Sequence, residues 1–223
     1  MSVAAIIIQG LLLVGAFDGA LPEAASAPRP HTYMAFGDSL TDGDGSSDGA
    51  GYRTRLERRL KARFGAASVI GEGATGTDSH RGARRIGKAL GAHQPAGTLI
   101  LYGSNDWDDR EDHSRSTLNS LRRIVERVKG SGSLAYLATL IPTHPGVDPR
   151  ASVERNRWVV RLNEGIRALA GSEEAVLVDL EAAFAKQADQ DALYSDGLHP
   201  SDAGYDVIAE AFFEAIVHGP ATP

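Results

Sequence analysis

The sequence predicts one α/β domain, a three-layer α/β/α sandwich in which helices cover both faces of a parallel sheet. Apolar runs of strand length alternate along the chain with amphipathic stretches of helix length, the pattern of parallel strands joined by crossover helices. Right-handed crossovers place such helices on both faces of the sheet. The 223 residues, 42% of them hydrophobic, suffice for one substantial core, so residues 28–223 are expected to form a single domain.

Five short apolar runs are predicted to be the strands of a flavodoxin-like sheet. They span Thr32 to Phe36, Ser68 to Ile70, Thr98 to Tyr102, Leu134 to Leu140 and Ala175 to Val178. Parallel sheets bind ligands outside the carboxyl ends of their strands. The polar segments that begin at Gly37, Glu72 and Gly103 are therefore where a functional site is expected.

Amphipathic segments after these strands are predicted to be helices. They span Tyr52 to Phe64, Arg81 to Leu90, Thr117 to Val128, Val153 to Leu169 and Asp202 to Val217, with a short extra turn at Glu181 to Lys186. The first helix carries the densest basic run, Arg53 to Arg63, interleaved with Leu56, Leu60 and Phe64. We interpret this run as a solvated helix face rather than a phosphate site.

The N-terminus has features of a secretory signal. Val3 to Phe17 form an apolar stretch, and Ala25-Ser26-Ala27 offers a small-x-small cleavage site, although no Lys or Arg precedes the stretch. The stretch is shorter than the roughly 20 residues of a membrane span. We expect residues 1–27 to be a signal peptide and the processed protein to be periplasmic or secreted with no stable membrane span. A cytoplasmic or membrane-associated protein is the alternative.

Charge and cysteine content exclude several functions. The formal net charge of −6 argues against a nucleic-acid partner, because phosphate binding needs clustered Lys and Arg. The chain has no Cys, which excludes disulfides, thiol catalysis and thiolate metal sites.

Two motifs could supply a nucleophile and its base. Gly37-Asp38-Ser39-Leu40-Thr41 follows the first strand, and Asp196-Gly197-Leu198-His199-Pro200 precedes the last helix. A serine hydroxyl becomes a useful nucleophile when a neutral imidazole takes its proton and a carboxylate orients that imidazole. Each motif alone is also explained as a turn, because Gly, Asp, Ser and Pro all favour turns.

Two further motifs could bind a developing negative charge. Gly103-Ser104-Asn105-Asp106 follows the third strand and offers a side-chain amide, while Gly71-Glu72-Gly73-Ala74-Thr75-Gly76 lets backbone NH groups approach a ligand. The second of these also spells the dinucleotide-binding pattern GxGxxG, but no acidic residue lies about 20 positions onward to hold a ribose.

Other candidate sites are weaker. Gly45-Ser46-Ser47-Asp48-Gly49 matches GxSxG and would make Ser47 a nucleophile, but no strand precedes it. The Thr41 to Gly51 stretch lacks the glycine and glutamate of a calcium loop. The acidic cluster Asp108, Asp109, Glu111 and Asp112 has no ordered ligand spacing, so we expect a solvated loop.

Together the four motifs, in this order and at element junctions, resemble the SGNH (GDSL) hydrolase family over roughly residues 32–218. The resemblance implies Ser39 as nucleophile and Asp196 and His199 as the rest of the triad. It further implies an oxyanion hole formed by the Ser39 NH, the Gly76 NH and the Asn105 side chain. The chain departs from the family at Gly71, where members often have Asn and a supporting hydrogen bond.

The resemblance implies a serine hydrolase that cleaves carboxylic esters through an acyl-enzyme, with no metal or organic cofactor. The substrate is expected to be a small-molecule, lipid or carbohydrate ester. A carbohydrate O-deacetylase, a lysophospholipase, a thioesterase and an acyltransferase remain alternatives, as does a non-catalytic binding module on the same sheet. Candidate residues of the substrate pocket are Leu40, Trp107, His144 and Leu198.

Overall fold

The computed structural model describes residues 29–144 and 153–220. The expected signal peptide at residues 1–27 lies outside the described residues, so it stays a prediction. Within the described residues, no helix combines the length and the apolar character that crossing a membrane requires.

A five-stranded parallel sheet forms the middle layer, as the sequence predicted. Its strands are Arg29–Gly37 (β1), Ser68–Gly73 (β2), Pro95–Leu101 (β3), Leu134–Ala138 (β4) and Val176–Val178 (β5). Their order is β2-β1-β3-β4-β5, which is the flavodoxin-like order. From β1 the chain adds β2 on one side of the sheet and then β3, β4 and β5 on the other. The place between β1 and β3 is therefore the switch point, where such sheets open a ligand crevice.

Seven helices surround the sheet in the described part of the chain. They are Ser39–Asp42 (α1), Tyr52–Phe64 (α2), Ser79–His93 (α3), Ser114–Gly130 (α4), Val153–Ser172 (α5), Leu180–Ala185 (α6) and Asp202–His218 (α7). The helices α3, α4 and α5 pack side by side, and α7 packs against α2 and α6. These two groups are the outer layers of the predicted α/β/α sandwich.

The structure differs from the prediction mainly around the strand ends. β2 continues through Gly71 to Gly73, which pair with Ala35 to Gly37 of β1, so the first half of the glycine motif is strand. Tyr102 lies beyond the end of β3. The helix α1 was not predicted, because four residues are too few for a helical repeat to show in the sequence.

The basic run of α2 is mostly a solvent-facing surface, with one exception. Arg55 is buried, and its guanidinium lies 2.6 Å from Asp202 and 3.4 Å from Asp48. The expectation of a wholly solvated face is therefore wrong at Arg55, whose charge joins α2 to the start of α7.

Candidate active site

Ser39 lies at the carboxyl end of β1, at the start of α1. The Asp38 carboxylate accepts a hydrogen bond from the Leu40 NH at 3.1 Å and begins this helix, as an N-cap residue does. The helix ends at Gly43, whose φ of 107° is in the left-handed region and suits glycine. Ser39 is held on a rigid four-residue turn, with 4% of its surface exposed.

Asp196 and His199 form a compact hydrogen-bonded turn before α7. One Asp196 oxygen accepts the Leu198 and His199 backbone NH groups at 2.7 and 2.6 Å, and the other lies 2.9 Å from His199 Nδ1. Burial alone would raise the pKa of Asp196, but these hydrogen bonds outweigh burial and hold the pKa below its usual value. The carboxylate therefore stays ionised and keeps the imidazole proton on Nδ1.

The imidazole of His199 connects this turn to Ser39. His199 Nε2 lies 3.2 Å from Ser39 Oγ. With the Nδ1 proton directed at Asp196, Nε2 is free to accept the serine proton. The three side chains thus form one line of hydrogen bonds, from carboxylate to imidazole to hydroxyl.

Contacts from His144 and Gly45 hold the turn that carries Asp196 and His199. The Ser195 NH donates to the His199 carbonyl at 2.9 Å, and the His144 NH donates to the Gly197 carbonyl at 2.8 Å. Gly45 packs directly against the turn, since a Cβ there would lie 3.0 Å from His199 Cβ and 2.3 Å from Ser195 Oγ. Its φ of 92° also favours glycine.

Gly76 and Asn105, the two other expected oxyanion donors, are exposed residues of neighbouring loops. The Asn105 amide donates to the carbonyl of Thr77, the residue after Gly76, at 3.1 Å. The Thr77 hydroxyl lies 2.5 Å from Tyr102 Oη. One amide proton of Asn105 therefore holds the two loops together, and the amide has a second proton for a ligand.

Asp38 connects two segments of the site. The first is α1 with its cap, residues 38–42, here called the serine turn; the second is the short 3-10 turn Ser104–Asp106, here called the Asn105 loop. The second carboxylate oxygen of Asp38 accepts the Ser104 hydroxyl at 2.8 Å. Burial raises the pKa of Asp38 to about 6. From the sequence, Asp38 was predicted only as part of a turn, although an acidic residue directly after a buried strand is a signal for such a role.

At Gly71, where the chain departs from the family pattern, the Arg53 side chain fills the space that a Cβ would take. A Cβ at Gly71 would lie 2.0 Å from Arg53 Nη1. The same guanidinium donates to the Asp42 carbonyl at 2.8 Å, at the end of α1. An arginine from α2 therefore supports α1 where family members often have an asparagine on the strand.

The four expected pocket residues have different positions. Leu40 is 1% exposed and belongs to the core, so its place in a substrate pocket stays a prediction. Leu198 is 7% exposed. His144 Nε2 lies 2.8 Å from Asp191 Oδ1. Trp107 lines a cavity of about 260 Å³ beside Asn105 and a second one of about 290 Å³.

The weaker candidates have structural contacts. Ser47 lies in an exposed loop, and its NH and hydroxyl both donate to Asp202, at 3.0 and 2.6 Å. It therefore ties its loop to α7. Across residues 29–144 and 153–220, no three His, Asp or Glu side chains are grouped as ligands of a metal ion would be.

Comparisons with known proteins identify a family. The model of the GDSL-like Lipase/Acylhydrolase family matches residues 35–207. The spore germination lipase LipC of Bacillus licheniformis is 23% identical over 103 residues, or 46% of this chain and 47% of that protein. The chain thus matches about half the length of this curated relative.

Solved structures share the fold over most of the chain. The lipase/acylhydrolase from Enterococcus faecalis has a TM-score of 0.73 and 21% identity, covering 86% of this chain and 98% of its own. Axe2, an acetylxylan esterase from Geobacillus stearothermophilus, has a TM-score of 0.71 and 22% identity, covering 84% and 94%. Since the family model extends from β1 into α7, the chain belongs to the GDSL-like lipase/acylhydrolase family.

Proposed function

We propose that the protein hydrolyses carboxylic esters through an acyl-enzyme on Ser39. The observation that carries this proposal is the position of the His199 ring, with Nδ1 2.9 Å from Asp196 and Nε2 3.2 Å from Ser39 Oγ. A hydroxyl, an imidazole and a carboxylate in this order make up the machinery of serine hydrolases.

In the proposed reaction, Ser39 Oγ attacks the ester carbonyl carbon while His199 Nε2 takes the hydroxyl proton. The carbonyl oxygen becomes an oxyanion, which the Ser39 NH, the Gly76 NH and the Asn105 amide are proposed to bind. His199 then gives its proton to the departing alcohol, and the acyl group remains on Ser39. A water molecule attacks this acyl group in turn, so that a carboxylic acid leaves and the serine proton returns.

The cavity beside Asn105 favours a short acyl group or a polar substrate. Its volume is about 260 Å³, and apart from the Trp107 ring it is lined by polar and charged side chains, among them Asp78, His80 and His113. A long fatty chain needs an apolar wall to leave water. We therefore propose that esters of short acids react faster than those of long fatty acids.

Removal of acetyl groups from carbohydrates is the second candidate function. The polar lining of this cavity supports it, because hydroxyl groups of a sugar can bond to carboxylates and imidazoles. The solved acetylxylan esterase with the same fold makes this class worth testing. Lysophospholipase, thioesterase and acyltransferase activities remain further alternatives, to be tested with the same panel of substrates.

A fluorophosphonate probe tests the proposed chemistry. We expect one adduct per chain, mapped to Ser39 by peptide mass spectrometry, and none in the Ser39→Ala variant. Ser47→Ala is the matched control, since Ser47 is an exposed serine bonded to Asp202, and it should label like the wild type. Absence of labelling in folded wild-type protein would instead support a non-catalytic binding module.

Substrate class needs a separate measurement. We expect kcat/KM for nitrophenyl esters to decrease from acetyl to long acyl chains. Acetylated sugars, a lysophospholipid and an acyl thioester should be measured alongside, with an added alcohol as acceptor to detect acyl transfer. A rise in kcat/KM with chain length would contradict the proposed preference for short acyl groups.

A further inference from the structure

The serine turn and the Asn105 loop come from neighbouring strands but are distant in sequence. β1 and β3 pair up to Gly37 and Leu101, and beyond that point backbone pairing between them ends. Asp38 and Ser104, which are 66 residues apart, bridge the gap through a buried hydrogen bond of 2.8 Å. Each of these two residues directly precedes a residue of the proposed site.

The hydrogen bond between Asp38 and Ser104 is buried. Asp38 is 0% exposed and Ser104 is 7% exposed. One Asp38 oxygen accepts the Leu40 NH at the start of α1, and the other accepts the Ser104 hydroxyl. Hydrogen bonds to an ionised group away from water are stronger than neutral ones and restrict their partners closely.

Ser104 is also held from the opposite side. The Arg155 guanidinium of α5 is 6% exposed and donates to the Ser104 carbonyl at 2.7 Å. The same guanidinium lies 5.6 Å from the centre of the Trp107 ring. Ser104 is therefore fixed between the end of β1 and α5, while the next residue, Asn105, is exposed and bonds to the Thr77 carbonyl.

We infer that Asp38 and Ser104 are positioning residues that set the distance between the Ser39 hydroxyl and the Asn105 amide. Neither side chain touches the substrate; both act through the residue that follows them. The inference rests on the proposed function, because the distance matters only if Ser39 and Asn105 act on one carbonyl group. Asp38 also caps α1, so Ser104 is the partner whose removal tests the bridge alone.

The experiment compares Ser104→Ala with Asn105→Ala and with the double variant. If Ser104 acts through Asn105, Ser104→Ala lowers kcat about tenfold with little change in KM, since a misplaced group of this kind costs one to two orders of magnitude. In the Asn105→Ala background, the same substitution should change kcat by less than about twofold. Ser104→Thr keeps the hydroxyl and should restore most of the activity.

Ser133→Ala is the matched control. Ser133 is also a buried serine, 4% exposed; it directly precedes β4, and its hydroxyl lies 2.9 Å from that of Thr98 in the middle of β3. It should leave kcat unchanged even where it lowers the melting temperature. Equal losses from Ser104→Ala in the wild-type and Asn105→Ala backgrounds would overturn the inference, because they would indicate a general loss of structure.

A second measurement separates this inference from the proposed function. The side-chain amide signals of Asn105 in ¹⁵N NMR spectra should shift or broaden in Ser104→Ala and not in Ser133→Ala. If the wild-type protein is folded but inert towards fluorophosphonate and esters, the proposed function fails, and the NMR result still decides whether the bridge positions Asn105. Unchanged Asn105 signals in Ser104→Ala would refute the inference.

Discussion

Asn105 has an exposed side chain and one hydrogen bond, to the Thr77 carbonyl at 3.1 Å. Removal of its amide should therefore affect chemistry far more than folding. We expect Asn105→Ala to lower kcat about 100- to 1,000-fold, the usual effect of losing one oxyanion donor, with an unchanged circular dichroism spectrum. Steady-state kinetics check this, with Ser39→Ala as the inactive reference. A loss smaller than tenfold would exclude Asn105 as a donor.

Asp38 is the residue whose ionisation should be visible in stability. Burial raises its pKa from 3.8 to about 6, so the stability contributed by its protonated form is complete below pH 3.8 and is lost as the pH rises through 6. Asp38→Asn removes this dependence. We expect the stability of the variant relative to wild type to rise by about 2 kcal/mol between pH 4.5 and pH 8, as measured by urea unfolding. Parallel stability curves would contradict the shift.

The proposed catalytic roles of single residues could be inferred only from the four motifs in combination. Ser39 and His199 each occur in a motif that a turn explains equally well, and the order of four motifs pointed to their roles. Asp38 and Ser104 were not predicted as a pair, because their contact depends on two strand ends meeting after 66 residues of sequence. The burial of Leu40 was not predicted, because it depends on the helix α1, which the sequence did not reveal.

Among the elements, α2 and α7 are joined by a charge that helical periodicity did not reveal. Arg55 donates to the Gly51 carbonyl at 2.7 Å and to Asp202 at 2.6 Å. We expect Arg55→Met to lower the free energy of unfolding by about 1–3 kcal/mol, because the buried Gly51 carbonyl loses a charged donor and Asp202 loses its ion pair with α2. Arg58→Met, at an exposed position of the same helix, is the control. Both variants are compared by thermal and urea unfolding. If Arg55→Met and Arg58→Met lowered stability equally, Arg55 would contribute no more than an exposed residue of the same helix.

The strand β2 and the helix α2 share the space above Gly71. Asparagine at this position would displace the Arg53 guanidinium, which a Cβ would approach to 2.0 Å. We expect Gly71→Asn to lower the free energy of unfolding by about 1 kcal/mol and to do so less in an Arg53→Ala background. A double-mutant cycle measures this coupling. Additive effects would mean that Arg53 does not fill the place of the family asparagine.

Strands and helices were largely predictable, and their ends were not. The bounds of α2 agree with the prediction, Tyr52 to Phe64, because its apolar residues follow a clear helical repeat. β2 extends three residues beyond its predicted end at Ile70. Glycines ordinarily mark a turn, but pairing with β1 keeps Gly71 and Gly73 in the sheet.

At the scale of the whole molecule, the proposed reaction needs no metal ion. The Asp196 carboxylate is bonded to the His199 ring and to backbone NH groups, and the proposed triad supplies both nucleophile and base without a metal-bound water. We expect kcat/KM to be the same before and after dialysis against EDTA. Activity that disappears with EDTA and returns with a divalent cation would contradict the metal-free mechanism.

The hydrogen bond between Ser39 and His199 joins residues that are 160 positions apart in the chain. During synthesis the nucleophile therefore leaves the ribosome long before its base does. On the proposed mechanism, a nascent chain that has folded only β1 to β4 holds Ser39 without the base His199. Full hydrolytic activity would then appear only when the turn before α7 reaches Ser39, so its onset would report that the last segment of the domain is in place.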